Sequence, residues 1–122
     1  MKNLLILNCF DNDWVELYKG IINVADLNCQ PNIYVNLGIE SPSLPIDVLL
    51  YHFDHLTDEN VKKFKSYINI VNYKYFISTF PRPDNRGSTK TLEIIQSMSS
   101  LVLYRPFDPD IFLNALNEFC RG

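Results

Sequence analysis

Four short runs constrain this chain more than anything else in it: Leu4–Asn8, Ile46–Tyr51, Tyr73–Thr79 and Leu101–Tyr104. They are apolar or aromatic for most of their length, and they lack the strict apolar–polar alternation of a strand with one wet face. Each therefore reads as a strand buried on both faces. Asn32–Leu37 adds a fifth, shorter strand after the break at Pro31 and Asn32. A chain with strands of this kind must cover both sides of a sheet.

The stretches between them carry helical spacing. Asp11 or Asn12 caps a helix in which Trp14, Leu17, Tyr18, Ile21, Ile22 and Ala25 recur on one side. Thr57, followed by Asp58 and Glu59, opens a second helix bearing Val61, Phe64, Tyr67 and Ile68. Ser88 or Thr89 caps a third with Leu92, Ile95 and Met98. Asp108 caps the last, Pro109 occupies its first turn, and Ile111, Phe112, Ala115, Leu116 and Phe119 form its apolar stripe.

The order is β-α-β-β-α-β-α-β-α, an α/β pattern that implies a parallel sheet with helices on both faces. Gly38–Pro45, with one Gly and two Pro, is too short for the usual crossover helix. Eight extended residues still reach about 26 Å, so a degenerate crossover fits. Local antiparallel pairing of the second and third strands is the competing reading.

Bulk properties exclude several classes. At 122 residues the chain is one domain. A net charge of −3 argues against a nucleic-acid-binding face. No apolar run is long enough to span a membrane, and Leu4–Leu7 is too short for a signal peptide. Cys9, Cys29 and Cys120 are an odd set without paired spacing, which points to a reducing, cytoplasmic setting.

In open α/β sheets the functional crevice lies at the carboxyl ends of the strands. Here those ends bring Asn8 and Cys9, Tyr51 and His52, Ser78 and Thr79, and Arg105. The run "YRPFDPDIFLNAL" (Tyr104–Leu116) resembles the Lys-Pro-Phe ending and capped last helix of the receiver domain of bacterial response regulators, the CheY-like fold. The likeness of layout covers essentially the whole chain. It implies a CheY/flavodoxin-like three-layer sandwich, with a five-stranded parallel sheet in the order 2-1-3-4-5 and the second helix shortened or missing. Residues 1–122 are then a single receiver-like domain, which could be the N-terminal domain of a longer protein.

That family accepts a phosphoryl group on an Asp with Mg²⁺ bound, and the resemblance can be followed residue by residue. The two acidic positions after the first strand fall on Asn8 and Cys9, an amide and a soft thiol where a hard cation needs carboxylates. The acceptor position falls on Tyr51, the hydroxyl position on Ser78, and the lysine on Arg105. The aromatic switch position falls on Val102. The resemblance therefore implies a pseudo-receiver: a phosphorylation-independent signalling or interaction module, not an enzyme, with no cofactor and no metal. Arg105 would pair with a loop carboxylate such as Asp11 or Asp54 and hold the crevice in one state. The alternative is a phosphoryl-accepting receiver with carboxylates shifted to Asp11, Asp13 or Asp54, or a small phosphocarrier using Cys9. Against the latter, Phe10–Asp13 supplies two carboxylates that repel phosphate and no Gly or Arg.

Two further groupings complete the reading. His52, Asp54 and His55, with Cys9 near, are zinc-ligand types, but their spacing matches no established metal motif and they read as solvated loop residues. Arg82 and Arg86 precede a helix start and offer an anion or partner site within a surface loop. The expected partner is another protein or a second copy, held through the last two helices and last strand, with no direct nucleic acid contact and no membrane. Ile94, Met98, Leu113 and Cys120 are the apolar residues there beyond what the inward stripes need.

Overall fold

The computed structural model describes residues 2–24, 31–36, 45–55, 57–81 and 89–121. In chain order the elements are β1 (Asn3–Leu7), α1 (Asn12–Val24), β2 (Asn32–Val35), β3 (Ile46–His52), α2 (Asp58–Ile68), β4 (Tyr73–Phe80), α3 (Thr89–Met98), β5 (Leu101–Tyr104) and α4 (Pro109–Arg121). Local chemistry sets several of these starts. The Asp11 carboxylate accepts from the Asp13 amide at 2.9 Å, so Asp11 rather than Asn12 caps α1. Thr57 is extended and its hydroxyl accepts from the Asn60 amide at 3.2 Å. Asp108 does the same for α4, accepting from the Asp110 amide at 2.9 Å, with Pro109 as the first helical residue.

The strands form one sheet in the order β2-β1-β3-β4-β5, and every ladder is parallel. The antiparallel alternative for the second and third strands is thereby overturned. β1 lies between them, pairing Leu4 with Ile33 on one side and with Val48 on the other. The expected crossover at Gly38–Pro45, and with it any remnant of a second helix, lies outside the described residues except for Pro45.

Alternation along each strand divides the core in two. On one face Leu4, Ile6, Val48, Leu50, Ile77 and Leu103 pack beneath α1 and α4, which contribute Val15, Tyr18, Ile22, Phe112 and Leu116. On the other, Leu5, Leu7, Leu49, Tyr51, Phe76 and Phe80 pack beneath Phe64 of α2 and Ile95 of α3. Every residue of β1 is buried, whereas none of the edge strand β2 is. That is the physical origin of the unbroken apolar runs: inner strands have no wet face. Each large apolar side chain so enclosed contributes roughly 1.5–3 kcal/mol. No helix among the described residues is long and apolar enough to cross a membrane.

Candidate functional site at the carboxyl edge of the sheet

The period of two that builds the cores also decides what meets at the strand ends. Leu50 and His52, Ile77 and Thr79, and Leu103 and Arg105 each share a side of the sheet, and the register pairs His52 with Thr79 and Thr79 with Leu103. All three polar residues therefore emerge on the α1/α4 side. Trp14 and Tyr18, four residues apart on α1, close over them. A cis bond joins Arg105 to Pro106. Asn8 and Asn36 turn the chain just beyond β1 and β2 with φ of 61° and 55°, the left-handed region that Asn tolerates. Their side chains then brace the edge. Asn8 Nδ2 donates to the His52 carbonyl at 2.9 Å, and Asn36 Nδ2 donates to the Cys9 carbonyl at 2.9 Å.

Arg105 is only 8% exposed. Its Nη1 donates to Thr79 Oγ1 at 2.9 Å and lies 3.2 Å from His52 Nδ1; its Nη2 donates to the Phe53 carbonyl. A guanidinium has no lone pair to offer, so His52 Nδ1 must face it as an acceptor. The imidazole proton is then on Nε2, which donates to Asp54 Oδ1 at 3.1 Å. Tyr18 Oη sits 2.9 Å from His52 Nδ1 and 3.1 Å from Thr79 Oγ1. One directed set satisfies every group. Arg105 donates to Thr79, Thr79 to Tyr18, Tyr18 to His52, and His52 to Asp54, whose side chain is 45% exposed. The Trp14 ring covers the guanidinium at 5.5 Å.

The electrostatics follow from this packing. Burial, and next the Arg105 charge, push His52 down to about 4, against a weaker pull from Asp54. Burial raises the Tyr18 hydroxyl to about 12. Burial, reinforced by Asp54, raises the Cys9 thiol to about 11, which keeps it protonated and un-nucleophilic at neutral pH. Arg105 is itself lowered by burial, and Tyr18 and Asp54 oppose that shift.

The structure brings together only part of the set singled out from the sequence. Asn8, Cys9 and Arg105 lie at the edge as expected. Tyr51 and Ser78 do not meet Arg105, because each is one residue off in parity and faces the α2/α3 side. Tyr51 stands among Phe53, Phe64 and Tyr67, and Ser78 Oγ bonds Ser99 Oγ at 2.8 Å. The groups that do face Arg105 are His52 and Thr79, with Tyr18 and Trp14 from α1. Counting back by two from Arg105 to Leu103, and across to Ile77 and Leu50, would have found them. Direct pairing of Arg105 with Asp11 or Asp54 is replaced by the relay through His52.

These side chains are a poor match for a hard dication. Asn8 spends its amide on the sheet, Cys9 is a buried thiol, Asp54 is engaged by His52, and Asp11 caps α1. Among the described residues no three His, Cys, Asp or Glu side chains converge where a metal ion could be held. Of the expected interaction residues, Ile94 and Met98 are 57% and 42% exposed. Leu113 is half-buried against the α1/α4 core, and Cys120 is buried, so neither is spare surface. Arg82, Arg86 and the candidate cap Ser88 lie outside the described residues.

No family model and no curated protein sequence matches the chain. Solved structures do. A chain named for pilus assembly, cpaE, from Burkholderia thailandensis E264 is 14% identical, superposes with a TM-score of 0.70, and is matched over 100% of both chains. The pilus assembly protein CpaE of Caulobacter crescentus CB15 is 10% identical with a TM-score of 0.63, over 95% of this chain and 91% of that one. The signal receiver domain of a Luxo repressor protein from Vibrio parahaemolyticus is 15% identical with a TM-score of 0.62, over 99% and 92%. At these identities the likeness is one of fold, and the fold is that of the CheY-like receiver.

Proposed function

We propose that a receiver fold is used here as a phosphorylation-independent signalling module, not as an enzyme, and that it works through contacts with protein. One observation carries the reading. The place where a receiver gathers carboxylates, metal and lysine is filled by Arg105, Thr79, His52 and Tyr18, bonded to one another beneath Trp14. Arg105 is buried and directs three of its five N–H donors at Thr79, His52 and the Phe53 carbonyl, so an incoming phosphoryl group would have to break this set to engage it. It ties β3, β4, β5 and α1 into one fixed arrangement, so the surface offered to a partner does not switch.

The similarity to CpaE proteins and to a receiver domain supports a regulatory module of a cytoplasmic bacterial protein, with pilus assembly as one such setting. The face made by α3, β5 and α4 is one route for its contacts, to a different protein or to a second copy. The test is an intact-mass measurement after incubation with acetyl phosphate and Mg²⁺. The expected result is unmodified protein. A stoichiometric phosphoryl adduct on Asp11, Asp13 or Asp54 would sink the proposal and establish the shifted-carboxylate receiver; an adduct on Cys9 would establish the phosphocarrier.

A further inference from the structure

Two apolar faces of the molecule lie open on opposite sides of the sheet. The first is a groove of 260 Å³ between α2 and α3, lined by Val61, Phe64, Ile68, Ile94, Ile95 and Met98. Lys65 stands on its rim, and Lys62, three residues earlier on α2, flanks it beside the exposed Asp58. Both lysines are exposed, and neither is paired with a carboxylate among the described residues. The groove is smaller than the roughly 300–1,000 Å³ of most small-molecule sites and has no convergent polar groups. Its shape suits the apolar face of a helix.

The second face is the outward stripe of α1. Asp13, Leu17, Gly20 and Val24 are spaced i, i+4, i+7 and i+11, which places them on one side of the helix, with Glu16 alongside. Leu17 and Val24 are 46% and 85% exposed. Gly20 sits mid-helix, where glycine costs about 1 kcal/mol relative to alanine. A Cβ there would meet nothing within 4 Å among the described residues, so no contact with them requires the missing side chain. A bare backbone between two exposed apolar residues lets another surface come close.

We propose that α1 of one copy seats in the α2/α3 groove of the next. Leu17 and Val24 meet Ile94, Met98 and Val61, Gly20 allows the close approach, and Asp13 and Glu16 face Lys62 and Lys65. Lys65 on the rim and Lys62 beside it outnumber Asp58 on that side of α2 and complement the acidic Asp13 and Glu16, and because the faces lie on opposite sides of the sheet no molecule can satisfy its own groove. The contact is therefore heterologous: each copy in a pair keeps one free groove and one free α1, and assembly extends head to tail. The inference goes beyond the signalling role proposed above and is independent of the chemistry at the carboxyl edge, so either can fail alone.

Sedimentation velocity over a wide concentration range, at about 0.05 M and about 0.5 M salt, tests it. Wild type should grow past dimer at low salt and shrink at high salt. The groove variant Lys62→Glu/Lys65→Glu and the helix variant Asp13→Lys/Glu16→Lys should each weaken assembly about tenfold, the 1.4 kcal/mol expected from turning two exposed attractions into repulsions. Mixing the two variants should restore it. Gly20→Ala should raise the melting temperature yet weaken assembly. Circular dichroism confirms that each variant is folded. A monomer at every concentration overturns the proposal, as does a dimer that stops growing and ignores both charge variants, the behaviour of a pair joined through α3, β5 and α4.

Discussion

Lowering the pH should strip this fold of stability through one imidazole. In the unfolded chain His52 takes up a proton as pH falls through its ordinary value of 6.5; in the folded chain burial and Arg105 delay uptake to about 4. A base whose folded pKa is depressed contributes stability that is complete above 6.5 and is lost as pH drops toward 4. The full displacement corresponds to about 3 kcal/mol at 1.36 kcal/mol per pH unit, and about 2 kcal/mol of it is gone by pH 5. No discount for exposure is needed, since the His52 side chain is 1% exposed. Urea denaturation from pH 7.5 to pH 5 reads the effect directly: with a slope of about 2 kcal/mol/M the midpoint should fall by about 1 M. His52→Gln keeps an acceptor toward Arg105 but does not titrate, so the carboxylates common to both chains cancel in the difference. If wild type and His52→Gln lose stability in parallel over that range, the assignment of a neutral, Arg105-facing imidazole is wrong.

Other outcomes follow from the same geometry. Arg105→Ala should cost about 2–4 kcal/mol, because the Phe53 carbonyl and the Thr79–His52 pair lose a charged donor; Arg105→Lys should recover only part, measured by chemical denaturation. The same Arg105→Ala change should move the His52 pKa upward, followed by the imidazole proton shifts, since the arginine charge is one of its depressors. Tyr51→Phe should be neutral or stabilising by up to about 1 kcal/mol, because the Tyr51 hydroxyl is buried without a hydrogen-bond partner among the described residues, whereas Tyr18→Phe should cost about 1–2 kcal/mol. The Cys9 thiol, raised to about 11, should resist iodoacetamide at about pH 8 in the folded protein and react at the rate of a free thiol only after unfolding.

How far the sequence could be read depended on which physical rule was in play. Inner strands and capped helices are local or composition-driven, so the continuous apolar runs, Thr57 and Asp108 were legible, and the strand order followed from alternation with a resemblance in layout. The site needed more than layout. The likeness to receivers drew attention to strand ends, but a strand end offers two consecutive residues with opposite facing, Tyr51 or His52 and Ser78 or Thr79. Alternation from the buried neighbours alone decides between them. The contributions of Trp14 and Tyr18 were hidden differently: at helical spacing an aromatic stripe is indistinguishable from ordinary core until the element it packs against is known. Cys120 was misjudged for a simpler reason: it follows Phe112 and Leu116 at four-residue steps and so continues the buried stripe of α4.

The contact between Trp14 and Arg105 has an experimental consequence of its own. The chain holds one tryptophan, and its indole lies over the guanidinium. Emission from the whole protein thus originates beside the buried charge at the mouth of the crevice, with no second fluorophore of its kind to dilute the signal. A ligand entering there, protonation of His52, or the loss of the arginine would each change the field across that ring and displace or quench its emission. An event confined to α2 and α3, on the far side of the sheet, would leave it dark. The protein carries an optical probe already fixed over the buried guanidinium at the carboxyl edge of the sheet.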